Sequence, residues 1–122
     1  LMRMDIEGHE IEVFDSLIKF SKNFQNLLPK KIIFETHIGI YKKKIELVRE
    51  TLNKLLDAGY KIKYLSSPNE PKEVLKKRGY SPFKIIKDFP FRRGIYKNIS
   101  RNDFIDFITK TGGVRTVLLE LK

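Results

Sequence analysis

The chain has 122 residues, a mass of 14.4 kDa, no cysteine and a formal net charge of +10. That length holds one domain with a modest core and excludes two; the lack of cysteine excludes disulfides and thiolate metal sites. No apolar run approaches the ~20 residues of a membrane span and no signal-peptide pattern is visible, so a cytoplasmic chain without a membrane span is expected.

The charge is unevenly placed. Residues 1–60 hold 10 Lys and Arg against 9 Asp and Glu, whereas residues 61–122 hold 15 against 6. Residues 71–101 alone carry 10 basic side chains and 2 acidic ones. Such asymmetry concerns partners and solubility, and it marks where an anionic partner would be attracted. Abundant Lys and Ile without Cys or Trp would suit a thermophile. An initial Leu suggests a fragment, a processed chain or a truncated product.

In chain order, Leu1–Met4 reads as a short apolar strand that runs into Asp5, Glu7 and Gly8, an acid-lined turn. Glu10–Phe20 follows as a helix, with Ile11, Phe14, Leu17 and Ile18 at helical spacing and acids crowded in its first turn. Leu27, Leu28 and Pro29 form a loop, and 31–36 is an apolar strand of the buried parallel kind. Lys42–Ala58 is the clearest helix, its stripe being Ile45, Leu47, Val48, Leu52, Leu55 and Leu56, with Gly59 as the stop. Tyr60–Leu65 alternates as a third strand. A β-α-β-α-β order makes a parallel, right-handed sheet the default.

Pro68 to Pro71 is loop, and Pro71 opens a short helix that Gly79 ends. Residues 81–98 are interrupted by Pro82, Pro90 and Gly94; 83–87 or 93–99 could be extended. Ser100 to Asp103 has the form of a capping box ahead of Phe104, Ile105, Phe107 and Ile108. Thr111, Gly112 and Gly113 turn the chain into a last strand, 114–121. The domain therefore divides into a 1–65 core, a basic insertion at 66–113 and a final strand at 114–122.

Candidate chemistry gathers at the strand ends. Asp5 and Glu7 lie at the carboxyl end of the first strand, which borders the ligand crevice in open α/β sheets. Two such carboxylates could bind a metal, orient a hydroxyl or act as a general base; equally, they could satisfy turn amides and complement a helix dipole. Glu35 and His37, two apart at the end of the next strand, are expected to point the same way. The imidazole could take a proton from a substrate hydroxyl, or be a hydrogen-bonded strand end. His9 is expected to be solvated. With two histidines a multi-histidine metal site is excluded, but a carboxylate-rich Mg²⁺ or Mn²⁺ site is not. The basic segment interleaves Tyr80, Phe83, Phe89, Phe91 and Tyr96 with Lys84, Lys87, Arg92, Arg93 and Lys97, the parts of a single-stranded nucleic-acid platform or of a loop anchored to the core. Arg92 and Arg93 are the pair selected for an anionic group. There is no Gly-x-Gly, hence neither a dinucleotide fingerprint nor a P-loop.

The stretch from Asp5 to Val13, Asp-Ile-Glu-Gly-His-Glu-Ile-Glu-Val, resembles the D-x-E-G-x-E-x-x-V signature of FkbM-type methyltransferases, which use S-adenosylmethionine. The segment from Lys31 to His37, ending Glu-Thr-His, is similar to that family's next strand, which typically ends in Glu-x-His. The two matches span Leu1 to about Gly39, the order of elements agrees to about Leu65, and only the final strand fits again.

The resemblance implies an α/β fold: the C-terminal half of a Rossmann-like class I methyltransferase sheet, three parallel strands plus one antiparallel strand flanked by helices. The final strand would insert between the second and third. It implies an S-adenosylmethionine-dependent O-methyltransferase, with Asp5 and Glu7 lining the site and Glu35 and His37 orienting or deprotonating a small-molecule hydroxyl acceptor, saccharide or lipid-linked. Tyr41, Arg92 and Arg93 are assigned to acceptor binding. The glycine loop and ribose-binding acid of that family lie upstream of Leu1, so this chain alone is expected to bind no cofactor and to be inactive; S-adenosylmethionine belongs to the parent. The Leu1–Met4 edge is expected to pair with a missing N-terminal half or a second copy. The alternative is a non-enzymatic basic half-domain that binds nucleic acid or an acidic partner.

Overall fold

The computed structural model describes residues 1–68, 74–88 and 90–122. Its core is a mixed six-stranded sheet with helices packed on one face. Strand β1 (Met2–Met4) leads through the acidic turn to helix α1 (Glu10–Phe24), which continues past the expected Phe20 and ends in a 3₁₀ turn at Gln25–Leu27. Strand β2 (Lys31–Glu35) is followed by a one-turn helix α2 (Ile38–Tyr41), a 3₁₀ turn at Lys42–Lys44, and helix α3 (Ile45–Asp57). Strand β3 (Tyr60–Ser66) then begins directly after Gly59, whose φ of +113° closes α3 as the glycine stop requires.

Beyond β3 come helix α4 (Val74–Lys77), strands β4 (Lys84–Asp88) and β5 (Phe91–Tyr96), helix α5 (Arg101–Asp106) continued as a π-helix at Phe107–Thr111, and strand β6 (Thr116–Leu121). The beginning of the helix expected from Pro71 lies outside the described residues.

The sheet order is β1-β2-β6-β3-β5-β4. β1 pairs parallel with β2; the β2–β6, β6–β3, β3–β5 and β5–β4 pairings are antiparallel. Thus β1, β2 and β3 share one direction, and the last strand lies between β2 and β3, with Val117 opposite both Phe34 and Leu65. Two corrections to the expectation follow. The sheet has six strands rather than four, and most neighbouring pairs are antiparallel. The added pair is the β4–β5 hairpin within the basic insertion. Its outer strand is largely exposed, so no buried alternation marks it, and its prolines and glycine read as breakers.

One face of the sheet is the core. Met4, Ile32, Phe34, Leu65, Val117 and Leu119 project from it and are buried. Phe14 of α1 meets Phe34 edge-on at 4.9 Å, and Val48, Leu52 and Leu55 of α3 complete the layer. Leu47 does not belong to that stripe: it is 47% exposed, and Thr51, at the proper spacing from Val48 and Leu55, is buried instead. Ser100 caps α5 by accepting from Asp103 N–H at 3.2 Å. The box does not close reciprocally, because Tyr80 O–H takes the Asp103 carboxylate and accepts from Ser100 N–H. No described helix covers the opposite face, from which Ile33, Tyr64 and Leu118 project half-buried. No helix among the described residues is long and apolar enough to cross a membrane.

Candidate functional site

Parallel pairing of β1 with β2 sets their carboxyl ends side by side, Met4 opposite Phe34. The turn after β1 is tight: Glu7 has φ +53° and Gly8 φ +95°, two successive left-handed residues. A Cβ at Gly8 would lie 2.7 Å from Ile40 Cδ1, so the bare glycine lets α2 close over the turn. This brings the first turn of α1 against the loop that follows β2.

Four side chains meet there. Glu10, at the start of α1, is fully buried; one carboxylate oxygen accepts from Ile6 N–H at 3.3 Å and the other from Tyr41 O–H at 3.1 Å. His37 stands beside it with Nδ1 3.3 Å from Glu10 Oε1, within ion-pair distance but making no hydrogen bond. Its other nitrogen, Nε2, is 3.9 Å from Asp5 Oδ1, and the imidazole is 23% exposed. Asp5 is open to solvent at 58%. The order from inside outward is therefore Tyr41, Glu10, His37, Asp5. Burial, and then the neighbouring Glu10 charge, hold the Tyr41 phenol protonated well above the usual tyrosine range.

Ligating atoms of Asp5, Glu10 and His37 lie within 4.8 Å of one another, so these three residues could hold a metal ion. A cation there would share Glu10 with the Ile6 amide and the Tyr41 hydroxyl. Without a metal, the arrangement is an imidazole backed by a buried carboxylate with its far nitrogen toward solvent, the layout of a proton acceptor steadied from behind.

The expected site residues separate. Asp5 and His37 come together. Glu7, at the tip of the turn, is exposed and makes no side-chain hydrogen bond or ion pair among the described residues. Glu35 does not point with His37: β2 ends at Glu35, which projects from the open face and pairs with Arg115 Nε at 3.6 Å. His37 is already in the turn into α2, where strand alternation has lapsed. Tyr41 has no surface to offer an acceptor, being fully buried on Glu10. Arg92 and Arg93 do not form a pair for one anion, since neighbours on a strand face opposite sides; Arg93 lies on the open face and Arg92 on the other. His9 is solvated, its side chain 77% exposed. Phe89 and the side chain of Phe91 lie outside the described residues. Glu10 is the residue that sequence reasoning missed. An acid in a first helical turn reads as a dipole complement, yet the third acid of the D-x-E-G-x-E pattern is this one, and that was the available signal.

Two of the described glycines are closely packed by side chains. Gly8 is taken up by Ile40, and Gly113 by Val74, whose Cβ a side chain there would approach to 2.8 Å. Comparison with known protein families, curated proteins and solved structures finds no match for this chain.

Proposed function

We propose that the chain is the C-terminal, substrate-side portion of an S-adenosylmethionine-dependent O-methyltransferase, incompetent for the cofactor by itself. The observation that carries this reading is the Glu10–His37–Asp5 alignment at the adjoining carboxyl ends of β1 and β2, within the stretch that resembles the methyltransferase signature. The insertion of β6 between β2 and β3 supports it, since the resemblance implies that order.

In this reading His37 keeps its proton on Nδ1, toward the buried Glu10 carboxylate, which leaves Nε2 as the basic nitrogen. An acceptor hydroxyl over Nε2 gives up its proton there as its oxygen becomes nucleophilic. Glu10 stabilises the imidazolium that forms, and Asp5 orients the hydroxyl. Glu7 and Glu35 stand back from this proton path. The residues present do not fit S-adenosylmethionine, so the methyl donor is assigned to the parent protein, and no step here passes through it.

The test is methyl transfer by the full-length parent to hydroxyl acceptors. Activity should be present and should fall about 10²-fold or more in His37→Ala with aliphatic hydroxyl acceptors, and by much less with acidic phenols, whose ionised oxygen needs no base. A parent that transfers no methyl group, or one that ignores the His37 substitution, would sink the reading.

A second reading, a basic module for single-stranded nucleic acid, draws on one feature: Phe83, 47% exposed, stacks on Tyr64 at 5.3 Å with Lys97 Nζ 5.0 Å from its ring. Steeply salt-dependent binding of single-stranded oligonucleotides, lost in Phe83→Ala, would favour it.

A further inference from the structure

The open face of the sheet holds a cavity of about 290 Å³ between β2, β6 and β3 on one side and the β4–β5 hairpin on the other. Ile33, Leu118, Ile86 and Ile95 make its walls aliphatic, and Tyr64 adds a ring. Among the described residues one charged side chain lines it, Arg93. The Arg93 Nε is buried and has no hydrogen-bond partner.

A buried guanidinium N–H without an acceptor is costly, because it has given up water and gained nothing in return. Among the described side chains of this face, the acids are engaged elsewhere: Glu35 with Arg115, and Glu120 with Lys31 and Lys63. The cavity thus combines apolar walls with one uncompensated positive charge. Small-ligand sites are built in this way, mostly apolar with a few polar groups that fix orientation, and this volume lies at their lower end.

The geometry points to a binding site for a small carboxylate amphiphile, its apolar tail lodged between Ile33, Leu118, Ile86 and Ile95 and its carboxylate on Arg93. A carboxylate fits better than a phosphate monoester because the single half-buried cation neutralises a single charge, and the planar guanidinium matches a carboxylate edge. The site lies on the sheet face away from the core and from Glu10, so the inference is independent of the methyltransferase reading.

Octanoate is the probe, with 1-octanol as its uncharged counterpart, titrated into the whole chain and followed by amide and methyl chemical shifts. Octanoate should bind with shifts at Ile33, Ile86, Ile95 and Leu118, and octanol about tenfold or more weaker. Arg93→Met should reduce octanoate to the level of octanol, and Arg93→Lys should fall between. Leu118→Trp, which fills the cavity from a half-buried position, should abolish binding of both; unchanged far-ultraviolet circular dichroism in each variant separates this from unfolding. Equal affinity for octanoate and octanol, binding that survives Leu118→Trp, shifts mapping elsewhere, or no binding at millimolar octanoate would each overturn the proposal.

Discussion

Glu10 holds its place because each oxygen has a donor, Ile6 N–H on one and Tyr41 O–H on the other, and its two side-chain neighbours differ in importance. The Tyr41 hydroxyl is a fully buried partner 3.1 Å away, while the His37 imidazole is partly exposed and out of hydrogen-bond alignment. Removing the first leaves a buried carboxylate oxygen unsatisfied; removing the second leaves Glu10 with both of its donors. Tyr41→Phe should therefore destabilise the fold by about 1–3 kcal/mol, whereas His37→Gln should change it by less than about 1 kcal/mol. Urea unfolding of the two variants beside the parent sequence checks both figures. If His37→Gln proved the costlier change, the imidazole would be a structural strut, and its value as a proton acceptor would be in doubt.

At the scale of elements, the turn joining β1 to α1 and the capped start of α5 make separate demands. Gly8 combines φ +95° with a contact that forbids a Cβ against Ile40, itself 38% exposed and free to be trimmed. Gly8→Ala should cost about 1–2 kcal/mol from backbone strain alone, plus a clash that an Ile40→Ala background relieves except for the residue-40 Cβ at 3.2 Å. A double-mutant cycle should accordingly show Gly8→Ala milder when Ile40 is already alanine; equal costs in both backgrounds would remove the steric argument. At α5, the Tyr80 hydrogen bond and then that of Arg78 hold the Asp103 carboxyl below its ordinary range. A depressed folded value means the carboxylate stabilises the fold above the usual carboxylate range and loses that contribution as pH falls through its folded value. Melting temperature should drop on acidification below about pH 4, and Asp103→Asn should be less stable at neutral pH yet flatter on the acid side. A parallel acid limb in the variant would contradict this. Much of the element order was legible because buried strands and amphipathic helices repeat apolar residues at fixed periods: Ile32 and Phe34 in β2, Val48, Leu52 and Leu55 in α3. The β4–β5 hairpin was not, since Lys84 and Lys87 flank two adjacent isoleucines on an exposed edge, which breaks strand alternation, and Pro82 and Gly94 look like interruptions. Nor was α2, where one turn containing Gly39 is too short to show a period. Asp5 and His37 could be paired from strand direction alone; the burial of Glu10 and the outward turn of Glu35 depend on where α1 and β2 end, which no local pattern specifies.

At the scale of the molecule, the two edges of the sheet are unlike. The outer strand β4 carries Lys84 and Lys87, charges that discourage pairing with another chain. The other edge, β1, has only Arg3 in its three residues and is flanked by Leu1, which is 81% exposed. Its backbone groups on the side away from β2 have no strand to pair with among the described residues. An edge this bare favours addition of a further strand, from a second copy or from chain preceding it in a longer parent. Sedimentation of this chain should show a dimer growing in as concentration rises toward the millimolar range. Leu1→Lys, which sets a charge beside the exposed backbone and leaves the core-packed Met2 in place, should shift that equilibrium toward monomer, and added salt should restore part of the association by screening the lysine. In a parent whose own strand occupies the edge, the dependence on concentration should vanish. A chain that stays monomeric throughout would mean that β1, short as it is, offers too little ladder to hold a partner.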